Sequence, residues 1–186
     1  DAERLQKELS QKNDAESKRM LRFLSMPDLS RQPGNPIHEL AQCILNLPDF
    51  KEFDVIEVPE IVPADISFDL FDFPANHPAR SRSDTYYADD NNILRTHTTV
   101  MWYYYLMAAS IKARLAKGEA VGSLSHGKVY RKDEIDRHHM NVFHQMDGWY
   151  LCPKNQKIIT AEDLQNVLIS IAKAVFGPAV QYRFNK

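Results

Sequence analysis

The sequence predicts an α+β fold, with an antiparallel strand pair flanked by helices. Two observations carry this. Segments with helical spacing of apolar residues alternate with short β-rich runs, in the order helix, strand, loop, helix, two strands, helix. The two β-rich runs nearest each other, "KVYRKD" and "FHQMDGWYLC", are joined by the nine-residue polar loop "EIDRHHMNV", which suits antiparallel neighbours. A chain of 186 residues is about one domain, here read as residues 26–186 preceded by a helical extension over residues 1–25.

Residues 1–24 lack Pro and Gly and are rich in Glu, Lys, Gln and Ala, which predicts one helix. Its apolar content is thin before "MLRFL", so only its end is expected to dock. A frayed extension and an arm that contacts a partner both fit. The linker "SMPDLSRQPGNP" follows, rich in Pro, Ser and Asn. In "NPIHELAQCILNLPDF", Asn35 is positioned to cap a helix, Pro36 takes its first turn, and Ile37, Leu40, Ala41, Ile44 and Leu45 form its apolar stripe. "FKEFDVIEVPEIV" reads as an edge or bulged strand interrupted by Pro59. Residues 64–99 read as a long, mostly irregular connection, and such connections tend to carry function. "VMWYYYLMAASIKARLAKG" predicts one helix stopped at Gly118. "TAEDLQNVLISIAKAVFGP" predicts another, with Thr160 and Asp163 as a capping box and Leu164, Val167, Leu168, Ile171 and Val175 as its stripe.

The formal net charge of -2 argues against a surface given over wholly to nucleic acid, while leaving room for a local basic face. No apolar stretch approaches the ~20 residues of a membrane span, and the N-terminal residues are charged throughout, so a cytoplasmic protein is expected. Cys43 and Cys152 fit no C-x-x-C pattern and are read as buried free thiols in a reducing compartment.

Strand alternation puts Val129, Arg131 and Asp133 on one face, and Phe143, Gln145 and Asp147 on one face of the next strand. If the faces align, a guanidinium fork, two carboxylates, an amide and an aromatic ring meet. Such a set suits a phosphate, an ammonium and a heterocycle. It also suits a solvated sheet face laced with weak ion pairs, and spacing alone does not separate the two. Adjacent histidines such as His138 and His139 seldom converge on one metal, so no metal site is read from them. His38, His126 and His144 receive no assignment.

"GKVYRKDEIDRHHMNVFHQMDG" resembles motif 2 of the class II aminoacyl-tRNA synthetases, specifically of the phenylalanyl-tRNA synthetase catalytic subunit. "HPARSRSDTYY" and "ILRTHTT" resemble that family's two upstream signatures, and "PDLSRQPGNPI" with "VIEVPEIV" resembles its entry and weak motif 1. The resemblance spans about residues 26–184. It implies a class II antiparallel sheet flanked by helices, and a ligase that activates phenylalanine with ATP and Mg²⁺ and transfers it to tRNA(Phe). By the resemblance, Arg131 would grip the α-phosphate and act in catalysis, His139 would reach the outer phosphates, and Phe143 would stack on adenine. Gln145, Asp133, Asp147, His97 and Thr99 would hold the amino acid. A second synthetase subunit or a homo-oligomer is implied, and no membrane. A synthetase-like binding module without aminoacylation, and a class II relative that activates another amino acid, are the alternatives.

The sequence departs from that family at several points. Asp133 and Asp147 stand where it has Glu, and Thr99 where it has Ser. Trp102 takes a position that the family fills with Gln near the amino acid. The family's Phe-Pro-Phe strand and motif 3 do not follow, so the expectation is a fragment of a longer protein rather than a shortened natural one. "PAVQYRFNK" reads as a strand interrupted mid-sheet.

Overall fold

The computed structural model describes residues 2–185; the outermost positions of the expected N-terminal helix and C-terminal strand lie outside this range. The chain opens with two helices, α1 (Ala2–Gln11) and α2 (Ala15–Ser25), not one. The break comes at Asp14, whose carboxylate accepts from the Ser17 N–H and caps α2, an alternative to continued helix that Asp offers readily. Docking is not confined to the end either. Leu5 and Leu9 are buried with Met20, Phe23, Ile61, Tyr86, Leu94 and Tyr130 in one core cluster.

Helix α3 (Pro36–Leu45) starts as its cap dictates, with the Asn35 side chain accepting from the Ile37 N–H. Pro59, which has no N–H to give a ladder, separates two short strands in different sheets. Strand β1 (Asp54–Val55) runs parallel to β4 (Val121–Tyr130), and β2 (Ile61–Pro63) pairs antiparallel with β3 (Asn92–Leu94). Between β2 and β3 lies the short helix α4 (Ala64–Phe68). A 3-10 turn over Thr98–Val100 runs directly into α5 (Met101–Met107). The extended backbone of Ala108 then separates α5 from α6 (Ala109–Ala116), so the single helix expected here is two.

The main sheet has the order β1-β4-β5. Strands β4 (Val121–Tyr130) and β5 (Val142–Leu151) pair antiparallel from Val121 opposite Leu151 to Tyr130 opposite Val142. All ten residues of β4 are buried, including Ser123, Ser125, His126 and Lys128. The three unassigned histidines, His126 and His144 from this sheet and His38 from α3, bind the 26–35 linker. The Ser30 hydroxyl lies 2.8 Å from His126 Nδ1, the Leu29 N–H donates to His144 Nε2 at 3.0 Å, and His38 Nδ1 is 3.1 Å from the Ser30 carbonyl.

Helix α7 (Ala161–Phe176) carries the expected capping box, yet none of its residues is buried. Leu164 is 60% exposed and Leu168 45%. A groove of about 1140 Å³ lies between α7, α3 and β5. Residues 178–185 join no strand, and among the described residues the outer edge of β5 is unpaired. Both cysteines are free, but neither is buried as expected: Cys43 is exposed and Cys152 half-buried. Among the described residues, no helix is long and apolar enough to cross a membrane.

Candidate active site

Register decides which expected residues meet. Val129 stands opposite Phe143, Gly127 opposite Gln145 and Ser125 opposite Asp147, and directly opposed residues share a face. Phe143, Gln145 and Asp147 therefore line one side of the sheet. Arg131 follows the last residue of β4 and extends the ladder by one bond, its N–H donating to the Asn141 carbonyl at 3.0 Å. Its guanidinium carbon lies 5.2 Å from the Phe143 ring centroid, and its Nε donates to the Thr96 carbonyl at 3.1 Å. Among the described residues, its two terminal nitrogens make no hydrogen bond and no ion pair, so they remain to grip an anion.

The other wall is the segment from Arg95 to Thr99, tied across β4 and β5. The buried Arg95 side chain donates from Nε to the Lys128 carbonyl at 2.8 Å and from Nη1 to the Val58 carbonyl. Its terminal nitrogen occupies the space beside Gly127, where a Cβ would lie 2.5 Å away and φ is +151°; that position has to be glycine. The Thr98 N–H donates to Gln145 Oε1 at 3.0 Å, so that end of the amide is its carbonyl. The Thr99 and Thr98 hydroxyls donate to Asp147 Oδ2 at 2.7 and 3.3 Å. Oδ1 of the same carboxylate accepts nothing among the described residues. Asp147 is thus held by one oxygen and presents the other.

His97 is brought to this wall. Its Nε2 lies 3.2 Å from the Ser67 carbonyl, which can only accept, so Nε2 carries the proton and Nδ1 is bare. Burial holds the imidazole below its ordinary value, against the opposing pull of the Ser67 carbonyl and Asp147; the ring is neutral at pH 7. Phe71 stands edge-on to both His97 and Trp102, with centroids 4.9 and 5.6 Å away.

Asp133 and His139 are not part of this face. The Lys132 N–H points away from β5, as the Tyr130 N–H does, and donates to the Asp84 carbonyl at 2.9 Å; beyond the Arg131–Asn141 bond the β4–β5 ladder ends. Asp133 is therefore an exposed loop residue, and the expectation that it shares the strand face with Arg131 is corrected. His139 lies in the same exposed loop, where its N–H and Nδ1 contact the Asp136 carboxylate at 2.7 and 3.0 Å.

Sequence reasoning missed Thr98 and Ser67. Alternation would turn Thr98 and Thr99 to opposite sides, but they sit in a helical turn, and both hydroxyls reach one carboxylate. Among the described residues, four buried side-chain polar atoms lack a partner: Ser67 Oγ, His97 Nδ1, Trp102 Nε1 and Ser125 Oγ. His97 belongs to the wall just described, Ser67 adjoins it through its carbonyl and Trp102 through Phe71, and Ser125 stands opposite Asp147. Buried polar groups are nearly always satisfied, so such a concentration marks where a ligand or ordered water belongs.

Residues 25–186 match the family described as tRNA synthetases class II core domain (F). Among curated relatives, a phenylalanine–tRNA ligase alpha subunit of Caldicellulosiruptor bescii is 33% identical over 147 residues, 79% of this chain and 38% of its own length. The alpha subunit of Fusobacterium nucleatum is 31% identical over 92% of this chain and 46% of its own length. That of Clostridium acetobutylicum is 32% identical over 92% and 49%. The chain thus spans less than half the length of these relatives. A solved pyrrolysyl-tRNA synthetase from Desulfitobacterium hafniense has the same fold, with a TM-score of 0.57 at 18% identity over 84% of this chain and 52% of that one.

Proposed function

Because the chain belongs to the family of class II tRNA synthetase core domains, we propose that it is part of a phenylalanine–tRNA ligase, acting in the cytoplasm with a second subunit. It would activate phenylalanine with ATP and pass it to tRNA(Phe). Residues 26–186 would form part of the catalytic domain, and residues 1–25 an extension packed against it. The observation that carries this reading is the pairing of two complementary ends on one sheet face. The Arg131 fork over the Phe143 ring suits a nucleotide phosphate beside its base. A few residues along β5, the free Oδ1 of Asp147 suits an ammonium.

In this reading Asp147 is the main ammonium anchor, and His97 Nδ1 and the second lone pair of Gln145 Oε1 complete the acceptors. Thr99 acts by orienting Asp147. His139, on the exposed loop between β4 and β5, would reach the outer phosphates, and Asp133 would join the amino acid only if that loop closed over it. The carboxylate of the bound amino acid then attacks the α-phosphorus in line, and pyrophosphate leaves. This chemistry needs alignment and charge neutralisation, not a protein nucleophile. Mg²⁺, which the family implies, would accompany the ATP phosphates and neutralise their charge.

The test is thermal stabilisation by non-hydrolysable phenylalanyl, tyrosyl and seryl adenylates. A ligand at about 100 times its Kd adds roughly 2.7 kcal/mol. Selective stabilisation by the phenylalanyl compound is expected; equal response to all three would sink the substrate assignment. Two substitutions separate the ends. Asp147→Asn should lower kcat/KM for phenylalanine on the order of a hundredfold, the scale of a charged hydrogen bond, with the Kd of ATP unchanged. An unaltered KM for phenylalanine would place the ammonium elsewhere. Phe143→Ala should weaken ATP by about 1–3 kcal/mol through lost stacking, read by equilibrium titration, with phenylalanine binding untouched.

A further inference from the structure

Arg131 sits at the last rung of the β4–β5 ladder, and what fixes the chain around it comes from the N-terminal helices. Its neighbours Tyr130 and Lys132 turn to the side opposite its own, as alternation along a strand dictates. The Arg131 guanidinium lies over Phe143 on the candidate face. Behind it, the Tyr130 ring is buried in the cluster that holds Leu5 and Leu9 of α1 and Met20 and Phe23 of α2. Lys132 reaches the same helices. Its Nζ donates to a Glu16 carboxylate oxygen at 2.5 Å and to the Arg82 carbonyl at 2.6 Å, and stands 5.1 Å from the Tyr86 ring centroid.

This tie matters because the sheet offers little beyond that rung. The Lys132 N–H goes to the Asp84 carbonyl, and only the Asn141 side chain reaches back, to the Arg131 and Asp133 carbonyls at 3.1 and 2.8 Å. Glu16 stands in the first turn of a helix whose Met20 and Phe23 are buried, so it is a fixed point. The pair is partly open to water, with the Lys132 side chain 16% and the Glu16 side chain 46% exposed, and such pairs add little to stability. Its use is geometric. A guanidinium fork works only when it is aimed, and a misplacement of about 1 Å can cost on the order of a hundredfold. We propose that Lys132 is a positioning residue for Arg131, and that Glu16 of the N-terminal extension anchors it. The extension then serves the nucleotide end of the site from within the chain.

This rests on the reading of Arg131 as a phosphate fork, and the experiment keeps the two apart. AMP and adenosine share base and ribose and differ by the α-phosphate, so the ratio of their Kd values, measured by calorimetry, isolates the phosphate contact. The unsubstituted protein should favour AMP on the order of tenfold to a hundredfold, the scale of hydrogen bonds to a charged group, and Arg131→Ala should lose that preference. Glu16→Lys repels Lys132 and adds a positive charge near the site. By charge alone it would tighten AMP. By lost positioning it should cut the preference on the order of fivefold, within the range of coupling between residues in contact, with the Kd of adenosine unchanged. Adding Lys132→Glu restores an opposite-charge pair and should restore the preference, although it brings a negative charge next to Arg131. In an Arg131→Ala background, Glu16→Lys should leave the ratio where it is. A preference that Glu16→Lys leaves intact or strengthens would overturn the proposal. So would a charge-swapped protein that stays weak, a further fall in the Arg131→Ala background, or equal weakening of AMP and adenosine, which would mean that the extension only supports the fold. Equal affinity of the unsubstituted protein for AMP and adenosine would overturn the phosphate reading of Arg131, and this inference with it.

Discussion

Arg131→Ala is expected to lower adenylate formation, measured by ATP–pyrophosphate exchange, by about 10³-fold, at the upper end of what losing one charge-stabilising group costs. Among the described residues, the terminal nitrogens of Arg131 make no hydrogen bond and no ion pair. The residue is half-buried, and its internal contacts are the Thr96 carbonyl and the Phe143 ring. Removing it costs the fold one hydrogen bond and one cation–π contact, each on the order of 1 kcal/mol, so thermal unfolding should shift by only a few degrees. The loss should fall on kcat, because charge builds on the α-phosphate only as the new bond forms. Arg131→Lys keeps a charge but not a fork, and should recover only a small part of the rate. A normal exchange rate in Arg131→Ala would end the assignment of this face to the nucleotide.

Lys128→Met is the largest effect expected on stability, about 3–5 kcal/mol, the range for removing one partner of a buried ion pair. The Lys128 side chain is 3% exposed. Its ammonium donates to the Phe23, Leu24 and Met26 carbonyls at 3.3, 3.0 and 2.6 Å, and lies 3.2 Å from Glu60. Its donors meet the carbonyls at the C-terminal end of α2, of which the Phe23 carbonyl also accepts from the Met26 N–H. Methionine fills a similar volume, but leaves those carbonyls and Glu60 without their cation. Against a typical total stability of about 5–15 kcal/mol, this is a large share. Urea unfolding measures it, and Lys128→Met combined with Glu60→Gln should recover part of the loss. The exposed pair Arg4–Glu8 is the control: Arg4→Ala should cost under about 1 kcal/mol. A loss that small at Lys128 would mean that water reaches the end of α2.

What could be read from the chain before folding was local. The Asn35 cap, the Thr160–Asp163 capping box and the strand pair joined by a polar loop all depend on residues close in sequence, and all are present. So does the shared face of Phe143, Gln145 and Asp147, which follows from alternation along one strand. Reading failed where two local options were close in energy. Asp14 could continue a helix or cap a new one, and Ala108 could propagate α5 or end it. Packing decided between them. Asp133 was lost to the strand because the ladder ends at the Arg131–Asn141 bond, and the Asn141 side chain, not the β5 backbone, donates to the Asp133 carbonyl.

The exposed stripe of α7 makes the same point from the other side. Its period is written plainly in Leu164, Val167, Leu168, Ile171 and Val175, but a period states that a face is apolar, not what covers it.

By itself, then, the sequence determined the class of fold, the caps and register signals, and the residue types on the candidate face, because each depends on geometry that repeats every two or 3.6 residues. Only the tertiary structure decided which lone pairs and protons are already used. Asp147 keeps one oxygen free because Thr98 and Thr99, nearly fifty residues away, take the other. Arg131 keeps its fork because only Nε is tied to Thr96. Hydrogen-bond partners that far apart in the chain are chosen by where whole elements come to rest, and that is set by the packing of the entire core.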